Sequence, residues 1–299
     1  MKFFRLLEII HIIFYYRLID LIPEHKRPNI IKYICFFSPW RFFSSQLPPE
    51  KRLKLALERL GPIFIKLGQM LSTRHDLLPP HWITELSGLQ DQVPPFDSRL
   101  AFQIIERELM EPINRIFTHI DEAPLACASL AQVHAGVLKT GEAVVVKILR
   151  PNVSRQIDVD LDWMRWFVLQ LENAVPSLHW LHLSAIVKDY EQTLRGELNF
   201  TLEAANMEVF RKNFYLSPLL YVPKVYWDYV TPSVLVMERV YAYAVNDIEA
   251  FKKAGVSLTT LSERGLEIFF TQVFRDNFFH ADMHPGNVLV NIDDPLHPQ

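Results

Sequence analysis

VHAGVLKTGEAVVVKILRP, residues 133–151, decides what kind of fold this chain makes. Two β-rich runs flank the tetrad Lys-Thr-Gly-Glu, so the stretch predicts an antiparallel hairpin. In the second run Lys147 stands mid-strand with Val145 and Leu149 on its own face, a place where an ammonium needs a carboxylate or a phosphate to meet it. Just upstream, ACASLAQVH (126–134) is a run of small side chains whose backbone amides could approach phosphate, although it is stiffer than glycines would make it.

Outward from the hairpin the pattern is mostly helical. Leu53, Leu57, Leu60, Phe64, Leu67 and Leu71 form a stripe broken by Gly61-Pro62, which predicts two helices end to end. IKLGQMLS places Lys66 and Gln69 three apart on one helical face, a spacing that lets both reach one target. Residues 97–117 read as an amphipathic helix. Helices are expected at 154–174 and 184–214, the second opened by Ser184 as its cap. Within the second, Asn199, Glu203 and Asn206 share a face at helical spacing while Glu197 lies off it, so Glu203 is the partner expected for Lys147. KVYWDYV and SVLVME follow as two β-rich runs joined by Thr231-Pro232. An apolar helix over 259–277 then leads into FFHADMHPGNVLV (278–290).

Composition bounds the class. The chain has 299 residues, 49% of them hydrophobic, enough for one large domain or two moderate ones. Its two cysteines, Cys35 and Cys127, have no CxxC spacing, so neither a disulfide framework nor a zinc site is expected, and a reducing cytosolic setting is the default. Residues 1–52 carry nine Lys/Arg against four Asp/Glu, a net +5, whereas the remainder is acidic. KFFRLLEIIHIIFYYRLIDLIP is too often interrupted by charge to span a bilayer, and no cleavage site follows it. Two readings of it stand side by side. One is an amphipathic helix on an anionic membrane face, anchored by Phe3, Phe4, Tyr15 and Tyr16 with arginines at the headgroups; the other is a helix packed on the rest of the protein. No basic, aromatic-rich face beyond residue 52 points to nucleic acid.

The loop at 280–287 carries the chemistry. Phosphoryl transfer needs a carboxylate to hold the acceptor hydroxyl or water and an amide oxygen to ligate the magnesium that bridges the phosphates. Asp282 and Asn287, five residues apart with a Pro-Gly turn between them, have the spacing of the kinase catalytic loop. His280 stands where that motif begins, and His284 replaces its usual lysine.

KLGQMLSTRHDLLPP, ASLAQVH, VVVKILRP, ELNFTLEAAN, MERV and HADMHPGN occur here in one order across residues 50–290, and together they resemble the UbiB family of atypical kinase-like proteins required for ubiquinone biosynthesis. That resemblance implies an α+β, protein-kinase-like fold: a small lobe with an antiparallel sheet and a long helix, the start of a large lobe, and an N-terminal helical extension. The implied segments are 1–48, an amphipathic membrane-surface segment; 49–120, the extension with KLGQ; 121–240, the N-lobe; and 241–299, the start of the C-lobe. Ala126, Cys127, Ala128, Ser129, Leu130, Ala131 and Gln132 would be the nucleotide loop, Lys147 and Glu203 the ion pair, and Glu238 the start of the adenine hinge. Asp282 would be catalytic and Asn287 the metal ligand. Lys66 and Gln69 would belong to an extension that folds over the site and meets the carboxylate motif of the long helix, Glu197 to Asn199.

ATP or ADP and Mg2+ are the implied cofactors. Membrane lipids, ubiquinone precursors and other ubiquinone-biosynthesis proteins are the implied partners, at the cytoplasmic side of a bacterial inner membrane. Two departures stand out. Glu197-Leu-Asn199 has an amide where the family often has a second carboxylate. After Asn287 only VLVNIDDPLHPQ remains, with Asp293 and Asp294 in a Pro-flanked turn, so the chain reads as an amino-terminal fragment with little or no turnover of its own. A small-molecule phosphotransferase of the aminoglycoside or choline kinase type, and a nucleotide-switched scaffold for lipid precursors, are the competing readings.

Overall fold

Proline and glycine punctuate the helical part of the chain. The computed structural model, which describes residues 2–21, 47–89, 94–175, 179, 181–280 and 288–292, breaks where they stand. The first helices are α1 (Lys2–Tyr15), α2 (Pro49–Leu60), α3 (Pro62–Ser72) and α4 (Pro80–Leu86). Proline opens α2, α3 and α4, where its missing N–H removes no helical bond. Gly61, between α2 and α3, turns the chain at φ +103°, a conformation that side chains resist.

The helix expected over 97–117 divides. α5 (Ser98–Leu109) stops before Glu111-Pro112, a short α6 (Ile113–Ile116) follows, and Phe117 already enters a strand. Pro112 forces the break, because it can open a helix but not continue one. The strands are β1 (Phe117–Ile120), β2 (Ala126–Cys127), β3 (Ala131–Leu138) and β4 (Ala143–Leu149), the last two being the expected hairpin with Gly141 at φ +102° in its turn.

After α7 (Val153–Ala174), the helix expected over 184–214 is two: α8 (Leu183–Glu197) and α9 (Phe200–Asn213). Leu198-Asn199 is the joint, and the Phe200 amide leaves the helical ladder to donate to the Pro232 carbonyl. Ser184 does not cap α8. It lies inside the first turn, where its amide and hydroxyl both donate to Glu172. Of the two β-rich runs only the second is a strand, β5 (Val234–Glu238). From the first, Val225 makes a single antiparallel bridge to Met237, and Trp227–Tyr229 curls into a 3-10 turn. Then come β6 (Tyr243–Ala244), α10 (Ile248–Ala254) with Asp247 accepting from the Ala250 amide as its cap, α11 (Leu258–Phe270) and β7 (Leu289–Val290). The helix expected to reach 277 changes to a π-helical turn at Thr271–Arg275.

The chain divides into two compact units. The first, residues 1–105, 122–133 and 148–199, is helical. Ile9, Ile12, Leu57, Leu60, Ile63, Ile157, Leu161, Tyr190 and Leu194 are buried in it, and the Tyr190 hydroxyl donates to the Ile63 carbonyl. In it α1 is a packed helix: Arg5, expected at lipid headgroups, instead donates to Asp160 and to the Leu60 carbonyl, while Phe3, Phe4 and Tyr15 stay exposed. Among the described residues no helix is long and apolar enough to cross a membrane.

The second unit, residues 106–121, 134–147 and 200–299, holds most of the sheet, whose strands are ordered β1-β3-β4-β5 with β2 paired to β3, and the β6-β7 pair. Phe117 faces Leu138 and Ile120 faces Gly136 across β1 and β3. Phe251, Val256 and Val290 make a small core beneath β6 and β7.

Candidate nucleotide site

Within the second unit, β4 carries Lys147 out of a run of buried valines, and its ammonium meets Glu203 at 2.7 and 2.8 Å from the two carboxylate oxygens. The joint at Leu198-Asn199 is what aims Glu203. By starting a new helix at Phe200 it puts Glu203 in the first turn of α9, where the helix dipole favours a carboxylate. The Phe200 ring lies 4.9 Å from the Lys147 ammonium and walls one side of the pair. The contact is a two-oxygen clamp on a partly exposed cation, which leaves Lys147 fixed in direction and open to a further anion.

The segment that leads into the expected catalytic loop is held by a residue that the sequence reading passed over. Gln272, buried in the π-helical turn, accepts the His280 amide on its side chain and the Phe278 amide on its carbonyl, both at 3.0 Å. The Phe278 ring packs at a tilt against Phe210 of α9, the helix that carries Glu203, with centroids 4.9 Å apart. The available signal was a lone glutamine in the apolar run IFFTQVF. Asp282 and Asn287 lie outside the described residues, as do His284, Asp293 and Asp294. Among the described residues no three His, Cys, Asp or Glu side chains gather as a metal site. Replacing Gln272 by alanine should leave the His280 amide without its acceptor and cost about 1–3 kcal/mol. Faster hydrogen exchange at residues 278–280 with a lower melting temperature is the expected readout.

Glu238 ends β5, but its polar groups are committed locally. The carboxylate accepts from the Tyr221 hydroxyl at 2.5 Å and from the Lys224 amide at 3.0 Å, and its own amide donates to the Lys224 carbonyl. Burial, with the Glu238 carboxylate adding to it, pushes the Tyr221 hydroxyl up to about 12. A recess of about 400 Å³ opens here between Glu142, Arg211, Lys224, Tyr226 and Arg239, and neither Lys147 nor Glu203 lines it.

In the first unit, residues 126–132 form β2, a tight turn and the start of β3, with Ala126 opposite Val133 and Cys127 opposite Gln132. The turn is closed by the Ala128 amide on the Ala131 carbonyl. Gln132, expected among the nucleotide-binding residues, is fully buried and uses its side-chain amide on the backbone of Phe96, accepting at 3.0 Å and donating at 3.3 Å. Arg150 joins the same clamp by donating to the carbonyls of Ala128 and Pro94. These two residues anchor residues 94–96 to the loop, a role that no spacing in the sequence announced.

Lys66 and Gln69 of α3 do not share a target. Lys66 pairs with Glu197 at 2.6 Å, and Gln69 donates to the Leu89 carbonyl at 3.2 Å. Gly68 lies between them at a close approach, since a Cβ there would meet the end of the Leu89 side chain and sit 2.8 Å from Leu57 Cδ1, so both leucines would have to shift. Further along the motif Arg74 grips Asp76 with two hydrogen bonds that hold this exposed carboxyl at about 2, below its ordinary 3.8. A lowered acid of this kind contributes above its unfolded pKa and loses the contribution as pH falls from about 4 towards 2. With Arg74→Ala, the Asp76 titration followed by NMR should move back towards 3.8.

The ion pair from strand to helix, on this order of elements, is a kinase arrangement, and comparison with known families agrees. The model of the ABC1 atypical kinase-like domain matches residues 88–297, well over half of the chain. The chain belongs to the ABC1 atypical kinase-like family. Relatives of this ABC1 chain include the probable protein kinase UbiB of Pseudomonas fluorescens, 49% identical over 298 residues, covering 99% of this chain and 56% of that protein. The one of Azotobacter vinelandii is also 49% identical, over 299 residues and the same shares, and that of Pseudomonas aeruginosa is 48% identical over 303 residues. The ABC1 chain thus spans little more than half the length of these relatives. Among solved structures, a complex of Rv3197 with erythromycin from Mycobacterium tuberculosis matches with a TM-score of 0.55 at 24% identity, over 77% of this chain and 57% of that one. At that identity the likeness speaks for the fold alone, which is α+β and protein-kinase-like.

Proposed function

We propose that this chain is part of an atypical kinase-like protein that binds ATP with magnesium, hydrolyses it or transfers its terminal phosphoryl group, and supports ubiquinone biosynthesis at the cytoplasmic face of a bacterial inner membrane. The observation that carries the reading is the Lys147–Glu203 pair, which holds an ammonium where the phosphates of a nucleotide would be met. In this reading Asp282 orients the attacking oxygen, Asn287 ligates magnesium, and residues 126–132 line the phosphates with backbone amides. Gln132 shapes that loop from behind. When bound, magnesium would supply neutralising charge to the phosphates; the chain's own task is to fix Lys147 and the loop. The UbiB name of the relatives supports the link to ubiquinone and its precursors.

The test is a thermal-shift titration of the 299-residue chain with ATP, ADP and magnesium. A saturable rise in melting temperature that Lys147→Ala removes supports the proposal, whereas no shift with any nucleotide overturns it.

A further inference from the structure

We propose that the recess at the end of β5 is a binding site for a small aromatic carboxylate, a monoanion of the benzoate class. The site is separate from the Lys147–Glu203 pair, neither member of which lines it, and its occupancy does not depend on ATP.

The recess lies wholly within the second unit, and backbone bonds fix its frame. Four stretches meet there: the turn before β4 with Glu142, the last turn of α9 with Arg211, the segment leading to β5 with Lys224 and Tyr226, and the residue after β5, Arg239. The Arg239 amide donates to the Ala143 carbonyl at 3.1 Å, the Tyr226 amide to the Val236 carbonyl at 3.0 Å and the Glu238 amide to the Lys224 carbonyl at 2.8 Å. The lining is therefore preformed, as sites for small molecules usually are.

The two acids of the lining are engaged mainly by neutral donors. Glu238 accepts from the Tyr221 hydroxyl and the Lys224 amide. The Thr140 hydroxyl, then the Glu142 amide, hold the Glu142 carboxyl below its ordinary 4.5, with the charge of Lys224 the smallest part. The cations are less committed. Among the described residues Lys224 rests over the Tyr226 ring at 5.0 Å and Arg239 over the Tyr241 ring at 4.8 Å, neither with a carboxylate in contact, and Arg211 reaches only Glu208 of its own helix, at 3.7 Å. Their N–H donors remain for an anion, and an arginine fork takes a carboxylate or a phosphate best. Size and sign choose between these. A volume of about 400 Å³ falls in the range of pockets for organic molecules and is far more than a lone inorganic ion fills. Glu142 and Glu238 repel a polyanion. Tyr221 and Tyr226 bring aromatic surface against which a flat ring packs. One carboxylate on one aromatic ring meets all three conditions.

The experiment is isothermal titration of the full 299-residue chain with benzoate, beside cyclohexanecarboxylate, benzyl alcohol and inorganic phosphate. Benzoate should bind saturably at millimolar concentration, cyclohexanecarboxylate several-fold more weakly because it lacks the aromatic ring, and benzyl alcohol not detectably because it lacks the charge. Arg211→Gln and, separately, Arg239→Gln should each weaken benzoate about tenfold, the worth of one charged hydrogen bond. Tyr226→Leu should erase the preference for benzoate over cyclohexanecarboxylate. Arg107→Gln, an exposed arginine elsewhere in the unit, should leave binding unchanged. Melting temperatures without benzoate show which variants fold, and the arginines are changed one at a time so that one that disturbs the fold leaves the other to decide. No binding of benzoate by the parent chain overturns the proposal, as does binding that neither arginine variant weakens. So does phosphate that displaces benzoate at equal concentration, since the recess would then take an adventitious ion only. ATP that displaces benzoate overturns it too, because the recess would then be part of the nucleotide site. A chain that binds benzoate as expected but shows no thermal shift with any nucleotide sinks the kinase reading and leaves this one standing.

Discussion

Lys147→Ala is expected to abolish the stabilisation that magnesium and ATP give this chain while leaving its fold nearly intact. The ammonium is only partly buried and is clamped to Glu203 from the rim of the sheet, so the pair itself contributes about 0–1 kcal/mol to stability. Its value is positional. An ammonium aimed by a carboxylate offers phosphate a fixed donor, and removing a preorganised donor of that kind costs about 10²–10³ in turnover where the chemistry is measured on a full-length relative. Glu203→Gln separates position from charge. It keeps the cation but weakens the clamp, so Lys147 becomes free to follow solvent and nucleotide affinity should fall about tenfold, less than on losing the ammonium. Lys147→Arg should not restore affinity, because a planar fork cannot replace a point charge against the Phe200 ring. Isothermal titration with ATP reads all three. Equal affinity in the parent and Lys147→Ala chains would remove Lys147 from any part in nucleotide binding.

The hairpin, Lys147 and the choice of Glu203 were legible because each rests on short-range rules: strand alternation, a turn tetrad and helical spacing. The break between α8 and α9 was not. Leu198-Asn199 contains neither proline nor glycine, and the interaction that ends the ladder is the Phe200 amide on the Pro232 carbonyl, far away in sequence. Long-range bonds hid the other working residues in the same way. Gln132 holds Phe96 across thirty-six positions, and Gln69 donates to the Leu89 carbonyl, whereas Lys66 pairs with Glu197 of the motif that both were expected to meet. Spacing on one helix says which side chains look the same way, but not what each one meets. The strand expected at KVYWDYV failed for a related reason: β propensity depends on neighbours, and once the Tyr226 amide has bonded the Val236 carbonyl of β5 the chain curls into the turn at Trp227–Tyr229.

The largest effect on stability is expected at Arg5 and Asp160. The Asp160 side chain is wholly buried, and burial raises its carboxyl above the ordinary 3.8 against the opposing pull of Arg5. Arg5 also donates to Glu8 and to the Leu60 carbonyl at the end of α2, so one guanidinium ties α1, α2 and α7 together. Arg5→Met removes the only counter-charge that touches Asp160 among the described residues and should destabilise the chain by about 3–5 kcal/mol at neutral pH. The loss should depend on pH. An acid whose folded pKa stands above its unfolded value stabilises most below the unfolded value and loses that contribution as pH rises through the folded one. Without Arg5 the folded pKa rises further, so the variant should regain stability relative to the parent as pH falls from 7 towards 5, where Asp160 takes up a proton. Arg5→Met combined with Asp160→Leu removes both charges and should recover much of the loss, because an apolar pair of similar volume is nearly neutral in place of a buried ion pair. Denaturant melts of the two single variants and the double variant at both pH values decide the matter: if the single losses simply add, or if the Arg5→Met loss is the same at pH 5 and 7, the two groups are not coupled and α1 is held by its isoleucines alone.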